Sequence, residues 1–427
     1  MLKKITRNIL RPLRSYLFKK LEYEFNSDKD ISPLSLKNYI NFISQKNQKI
    51  DVLAINWLDD QEVNVIKILR SELKITSSLP KYFQQLETFS EEIIIPPIIA
   101  YSFNQANINI NSSSFVYNNS IIIERFPYID PQCSNYSSGF LLKHNTNKGL
   151  ISKNISLITI PCGIFLGGNG AWNYYHWIIE ILPKLQFLTD LSKEYGHYPL
   201  FFSEDVLNIP SFHESLKVFN LPNEFIFLRK SHSYIVDKII YISTPNQLVF
   251  NIKNHITWQA SFCFTRSESI QYLKDNLLLI PQTSSMQEEK SDRKLFLARR
   301  NNRRSYNQNE VYNILSKVGF IEIYMEDYSF QEQIQLFSKA QYIIGPTGAA
   351  WTNLIFCKST VKCLCWMPEK IYNFSAFSNL AKICNIDLEY ISYKVDVEHD
   401  ALHSAEYTIN IQNIHEWLIH KNLITQQ

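Results

Sequence analysis

His176 and Glu180 stand four residues apart in the stretch GGNGAWNYYHWIIEILPKL, whose apolar spacing reads as a helix. Residues at i and i+4 share a helix face. A carboxylate beside an imidazole orients it and raises its basicity, so the pair can take a proton from a hydroxyl. His176 can be the base with Glu180 orienting it, or the roles can be reversed. The pair equally suits a buried histidine satisfied by a local carboxylate, with Tyr174, Trp177, Ile178 and Ile181 as core. It is not the His-Glu-x-x-His pattern of zinc sites. Gly168, Gly170 and Asn173 nearly follow a dinucleotide fingerprint, but Asn replaces the third glycine and no acid ends a second strand downstream.

A second constellation is GPTGAAWTN, residues 345–353, between the strand-like Tyr342-Ile343-Ile344 and a helix expected from about Trp351. The chain has only 10 glycines, so Gly345 and Gly348 three apart are informative. Both can take positive φ and remove Cβ bulk. Ala349 and Ala350 keep the turn narrow, and the following helix start offers amide hydrogens and the positive end of its dipole to an anion. Thr347, Thr352 and Asn353 add polar contacts. A tight turn that needs small residues to pack gives the same sequence. ARRNNRRSYN places Arg299, Arg300, Arg303 and Arg304 after another strand, where guanidinium groups can clamp a phosphate. No Walker A pattern occurs.

These loops need a frame. The chain has 427 residues, too many for one core, so two domains are expected. After the polar stretch 281–293, read as a linker, strand and helix patterns alternate: KLFLAR, a helix with Val311, Ile314, Leu315 and Val318 on one face, FIEIYM, a helix after Ser329-x-x-Glu332, YIIG, VKCLCW and a helix over 370–384. Asn307 with Glu310 suggests a capping box, and Gly319 a helix stop. This is the signature of an α/β chain with a parallel sheet. Residues 155–275 alternate more loosely, and residues 103–120 read as loop and edge strands.

Composition bounds the rest. Hydrophobic content of 45% and charged content of 19% describe a globular chain, and a net charge of +3 gives no case for nucleic acid. Seven cysteines lack paired spacing and are read as reduced structural thiols in a reducing compartment. No apolar run reaches the ~18–20 residues of a membrane span. The N-terminus carries Lys3, Lys4, Arg7, Arg11, Arg14, Lys19 and Lys20 before Glu22, with Ile5, Ile9, Leu13, Leu17 and Leu21 on one stripe. It reads either as an in-plane helix on an anionic membrane, kinked at Pro12, or as an ordinary surface helix.

Three stretches in order, NYYHWIIEILPKL, LARRNNRRSYNQNEVYNIL and SFQEQIQLFSKAQYIIGPTGAAWTNLIF, make residues 155–370 resemble glycosyltransferase family 61. The resemblance implies a GT-B type architecture, two Rossmann-like domains facing across a cleft, with an N-terminal extension. The segments are then 1–55, a basic N-terminal segment; 56–280, an acceptor domain; 281–293, a linker; and 294–427, a donor domain. It implies inverting transfer from a nucleotide sugar, a UDP-sugar for choice, without a metal or other cofactor. Residues 56–427 contain no Asp-x-Asp to hold a metal on a diphosphate. His176 and Glu180 would be the catalytic pair and Asn173 an acceptor contact. Arg299, Arg303, Gly345, Thr347, Gly348, Ala349, Thr352 and Asn353 would bind the donor. Many members carry His at the position of Thr347, and Glu at that of Cys365. The acceptor is expected to be a glycan or lipid-linked glycan of a surface polysaccharide or lipopolysaccharide. The expected location is cytoplasmic, at the inner face of the plasma membrane. A non-catalytic sugar-nucleotide-binding scaffold and a polysaccharide pyruvyl transferase are the competing readings.

Overall fold

Strands Arg293–Leu297, Phe320–Ile323, Ala340–Pro346, Lys362–Pro368 and Asp387–Tyr393 run parallel, in the spatial order second, first, third, fourth, fifth. The strand-and-helix alternation dictates this, because parallel neighbours need a crossover element between them. The order reverses between Arg293–Leu297 and Ala340–Pro346, which opens a crevice at their carboxyl ends. Those ends carry Arg299 and the Thr347-Gly348 turn. This computed structural model describes residues 47–54, 64–85, 89–124, 138–144, 148–152, 157–249, 258–279, 293–300, 304–395 and 405–425. The basic stripe of residues 1–46, almost all of the 281–293 linker and Arg303 lie outside the described residues.

A larger, 11-stranded sheet contains a second parallel block: Leu157–Phe165, Leu200–Ser203, Phe225–Leu228 and Ser233–Ile242 in the spatial order third, second, first, fourth. Its reversal point lies between Leu157–Phe165 and Ser233–Ile242, and the loop leaving the first of these leads to His176. The remaining strands come from the first 152 residues. Ile98–Ile108 pairs antiparallel with Ser233–Ile242 along most of its length. The reading of residues 103–120 as loop and edge strand is thereby corrected. Phe103, Ala106 and Ile108 are buried while Asn104 and Gln105 face solvent, so this Asn-rich run is a half-buried interior strand.

Segments from the first 95 residues reach the smaller sheet. Lys81–Tyr82 adds a sixth strand to the smaller sheet, parallel to Asp387–Tyr393. The hairpin of Leu73–Ser78 and Ser90–Ile95 leans on helix Ala376–Ile383, where Ser78 N–H donates to Asn379 Oδ1 at 2.7 Å. One apolar cluster runs from Ile95 and Ile178 through Phe262 to Trp351 and Leu380, so the two sheets share a core. The architecture is mixed α/β.

Local signals hold in part. Ser329 and Glu332 form the reciprocal capping box, and Gly319 ends its helix at φ +83. Asn307 forms no cap; its Nδ2 donates instead to Glu310 Oε2 at 2.8 Å, and its Oδ1 accepts from Ile409 N–H at 2.9 Å. The helix expected over 370–384 is a short 3-10 turn, Glu369–Ile371, followed by Ala376–Ile383. The cysteines among the described residues are free thiols, most of them buried. No helix among the described residues is long and apolar enough to cross a membrane.

Candidate active site

The helix bearing His176 is not a regular α-helix. His176–Ile181 is wound as a π-helix and Leu182–Asp190 as a 3-10 helix. Pro183 explains part of this, because it has no N–H to give to the carbonyl of Ile179 four residues back. The side-chain Nδ2 of Asn246 donates to that carbonyl at 2.6 Å. Asn246 Oδ1 in turn accepts from Arg266 N–H at 2.8 Å, so the distorted turn is clamped from a separate segment. Trp177 anchors the other side, stacked on Phe212 with centroids 5.0 Å apart and donating Nε1–H to Ser215 Oγ at 2.8 Å. Single π-turns of this kind are frequent at functional sites.

This frame brings the pair together. His176 Nδ1 lies 2.7 Å from Glu180 Oε2, and both residues are 9% exposed. Glu180 Oε1 accepts Leu248 N–H at 2.5 Å, which fixes the carboxylate. A carboxylate can only accept, so Nδ1 carries the imidazole proton and the lone pair falls on Nε2. Tyr175 stands edge-on to the ring at 5.8 Å. Gly170 closes over it: at φ +74, a Cβ there would meet His176 Cδ2 at 2.7 Å. Asn173 Oδ1 accepts Tyr175 N–H at 2.9 Å while its side chain stays partly exposed, so it shapes the start of the helix.

The second constellation converges as its strand ends require. Arg299 donates through Nη2 to the carbonyl of Thr347, and its own N–H is held by Gln308 Oε1 at 2.9 Å. Gly348 lies over the guanidinium, where a Cβ would approach Nη2 to 3.2 Å. Neither Gly345 nor Gly348 lies in the left-handed region, contrary to the expectation. Gly348 is extended at φ 170, and Gly345 is needed because a Cβ would sit 2.6 Å from Leu297 Cβ on the neighbouring strand. The following helix begins at Ala349, two residues earlier than expected, and is 3-10 from Ala349 to Phe356. The amides of Ala349 and Ala350 head it, where no carbonyl of the same helix can take them. Residues 348–350 are partly exposed.

Thr352 and Asn353 are wholly buried. Asn353 Oδ1 accepts from Tyr174 Oη at 2.6 Å, and its Nδ2 donates to Gln333 Oε1 at 3.3 Å. These two residues therefore shape the loop from beneath, with Asn353 tying it to the His176 helix. Arg300 is drawn away from the crevice by a two-pronged contact with Asp327 and lies over the Tyr324 ring at 4.4 Å. Thr347 N–H donates to the Trp366 carbonyl at 2.9 Å, one residue from Cys365, whose thiol burial pushes well above its ordinary range.

Residues the sequence reading passed over complete the site. Tyr174 packs against the core, as one reading had it, and is also the link to Asn353. Asn246 and Leu248 were assigned nothing, because a clamp that acts through a backbone carbonyl or amide leaves no residue-type pattern. Pro183 was the readable signal, since a proline inside a helical stripe frees a carbonyl that something else must satisfy.

Residues 174–364 match the model of the family described as glycosyltransferase 61. The match takes in the His176–Glu180 pair, Arg299 and the 345–353 loop. No curated protein matches the chain.

Proposed function

The chain belongs to glycosyltransferase family 61 through residues 174–364, and from that premise we propose that it moves a sugar from a nucleoside diphosphate to a glycan hydroxyl with inversion. The observation that carries this reading is the buried His176–Glu180 pair on a helix tied to the turn at Arg299, Thr347 and Gly348. In the proposed step Nε2 of His176 takes the acceptor hydroxyl proton. The acceptor oxygen attacks the anomeric carbon as the bond to the diphosphate oxygen breaks on the opposite face. The leaving diphosphate meets Arg299 and the amides of Ala349 and Ala350, so its charge is neutralised by fixed donors without calling on a metal. Glu180 stabilises the imidazolium that forms.

In this reading the two sheets are the Rossmann-like halves of a GT-B enzyme, the 345–353 loop belongs to the donor side, and Asn173 borders the acceptor. Arg303 joins the donor clamp. We assign the donor as a UDP-sugar, a hexose or pentose, and the acceptor as a glycan or lipid-linked glycan of a capsule or lipopolysaccharide. The basic N-terminal segment would bring the chain to the inner face of the plasma membrane from the cytoplasm.

Thermal unfolding of the purified chain with saturating UDP, GDP, CMP or dTDP tests the reading. A ligand that binds the native state at ~100 times its Kd adds about 2.7 kcal/mol of stability. A shift with one nucleotide alone is expected. No shift with any of them, in a folded sample, overturns the donor reading and returns the scaffold and pyruvyl transferase alternatives.

A further inference from the structure

The turn that leads into the His176 helix displays a tryptophan. Trp172 is 52% exposed, whereas Trp177, Trp258, Trp351, Trp366 and Trp417 are all buried. Indole is largely apolar, so leaving half of one in water forfeits burial that those five gain. Exposed apolar side chains scattered singly need no ligand. Trp172 is set apart by what holds it and by what it stands beside.

The turn is pinned along its length. Gly168 N–H donates to the Ile110 carbonyl at 3.0 Å. Asn169 N–H donates to Ser113 Oγ at 2.9 Å, and Ser113 N–H donates back to Asn169 Oδ1 at 3.1 Å. Ala171 N–H reaches the Gly168 carbonyl at 3.2 Å and Asn173 N–H the Gly170 carbonyl at 2.7 Å, so Trp172 stands at the corner of a closed turn. The backbone beneath the indole is therefore fixed before anything binds. A tryptophan has only two side-chain torsions to freeze, so contact with it carries a small entropic penalty.

The same turn borders the proposed base. A Cβ on Gly170 would stand 2.7 Å from His176 Cδ2 and 3.0 Å from Nε2, so the backbone passes beside the nitrogen that holds the lone pair. Trp172 follows Gly170 by two residues, at most about 7 Å of chain. A hydroxyl that gives its proton to Nε2 comes within about 3 Å of it. The sugar ring bearing that hydroxyl then lies within reach of the indole. One face of a pyranose is a patch of C–H groups, which packs against the electron-rich face of an aromatic ring.

We propose that Trp172 is an acceptor-binding residue, its indole stacking on the pyranose ring whose hydroxyl is glycosylated, so that the chain selects a glycan acceptor with an open C–H face. This rests on the reading of His176 as the base of a glycosyl transfer.

The test is NMR of the full chain labelled with 15N-tryptophan, the Trp172 indole signal being assigned with Trp172→Phe. The probes are the methyl β-pyranosides of glucose, galactose and xylose and the methyl α-pyranoside of mannose. At least one is expected to move the Trp172 signal, with magnetisation passing from aromatic protons to its ring C–H protons. Trp172→Ala is expected to raise the Kd of that glycoside on the order of tenfold. Trp172→Tyr should raise it less, and both should keep the wild-type urea midpoint because the side chain is exposed. A Trp172 signal that no glycoside moves, or a Trp172→Ala chain that binds as tightly as wild type, overturns the proposal. A signal moved by vesicles of phosphatidylcholine and phosphatidylglycerol and by none of the glycosides overturns it too, and gives the tryptophan to a lipid surface. The wild-type titration decides alone should Trp172→Ala not fold. Glycosides that move the signal while no nucleotide is released from UDP-, GDP-, dTDP- or CMP-sugars overturn the transferase reading and leave the sugar platform standing. A nucleotide-induced thermal shift beside a silent Trp172 signal overturns this inference and leaves the donor reading intact.

Discussion

Tyr174 Oη donates to Asn353 Oδ1 at 2.6 Å, and this bond joins the helix that carries His176 to the small-residue turn after Gly348. Asn353 is wholly buried and has its other side-chain end on Gln333. Tyr174→Phe keeps the ring and strands the Asn353 oxygen without a donor. Leaving such a group unsatisfied costs about 1–3 kcal/mol. Urea unfolding is expected to show that loss, and kcat should fall with it because the pair and the turn lose their common register. Full activity in a destabilised Tyr174→Phe would mean that the bond serves packing alone.

The proposed roles of His176 and Glu180 give a sharper prediction. A positioned general base contributes roughly 10²–10⁴-fold, so His176→Ala should lower kcat by that order. Glu180→Gln retains an acceptor for Leu248 N–H but no longer stabilises an imidazolium, and should lose less. Both variants should keep the nucleotide-induced thermal shift, since neither touches the 345–353 loop. Near wild-type transfer in both would remove His176 and Glu180 from the mechanism.

Two glycines predict opposite behaviour. Gly170 is at φ +74 with its Cβ position 2.7 Å from His176 Cδ2, so Gly170→Ala meets strain and a clash together. The left-handed conformation alone costs roughly 1–2 kcal/mol for a residue with a Cβ. Stability and kcat should both drop. Gly348 is extended at φ 170, and its neighbour is the far end of a flexible arginine at 3.2 Å. Gly348→Ala should leave the urea midpoint almost unchanged and raise the donor KM, because the methyl stands where the diphosphate is proposed to approach.

These contrasts also mark what could be read from sequence. Repeated strand and helix periods fixed the parallel sheet after residue 293, and the i and i+4 spacing fixed the His176–Glu180 pair, because both depend on local order alone. The role of Gly345 was not legible: its cause is Leu297, a contact across strands that no local rule encodes. Within residues 103–120, residues 103–108 were misread because their Asn-rich solvent face masked an apolar alternation. Asn353 was read as a ligand contact from its polar type; its burial and its bonds to Tyr174 and Gln333 could not be read from local order.

Arg299 separates charge from geometry. Its Nη2 reaches the Thr347 carbonyl, so it both holds the turn and presents a guanidinium beneath Gly348. Arg299→Lys keeps the charge but loses the planar fork. A hydrogen bond to a charged group is worth about 1.5–3 kcal/mol, so donor KM should rise roughly 10- to 100-fold with a smaller change in kcat. Titration with UDP by calorimetry checks this. An unchanged affinity would place the diphosphate elsewhere.

The last prediction concerns acid stability at the edge of the smaller sheet. Asp387 Oδ2 lies 3.2 Å from Lys421 Nζ and 3.3 Å from Lys362 Nζ, joining strand Asp387–Tyr393 to the end of helix Ile411–His420. Burial pushes the Asp387 carboxyl up, but the two ammonium groups outweigh it and hold the carboxyl below its ordinary range. The folded chain therefore binds this proton less tightly than the unfolded chain. The stabilisation is complete above the unfolded value of about 3.9 and is lost as pH falls through the folded value. With the carboxylate partly open to solvent, the gain is at most about 1 kcal/mol. Asp387→Asn should cost that much near neutral pH, and its urea midpoint should converge on that of the wild type as the pH is lowered below about 4. A gap that persists unchanged into acid would show that the asparagine costs stability through packing, with the ion pairs contributing nothing.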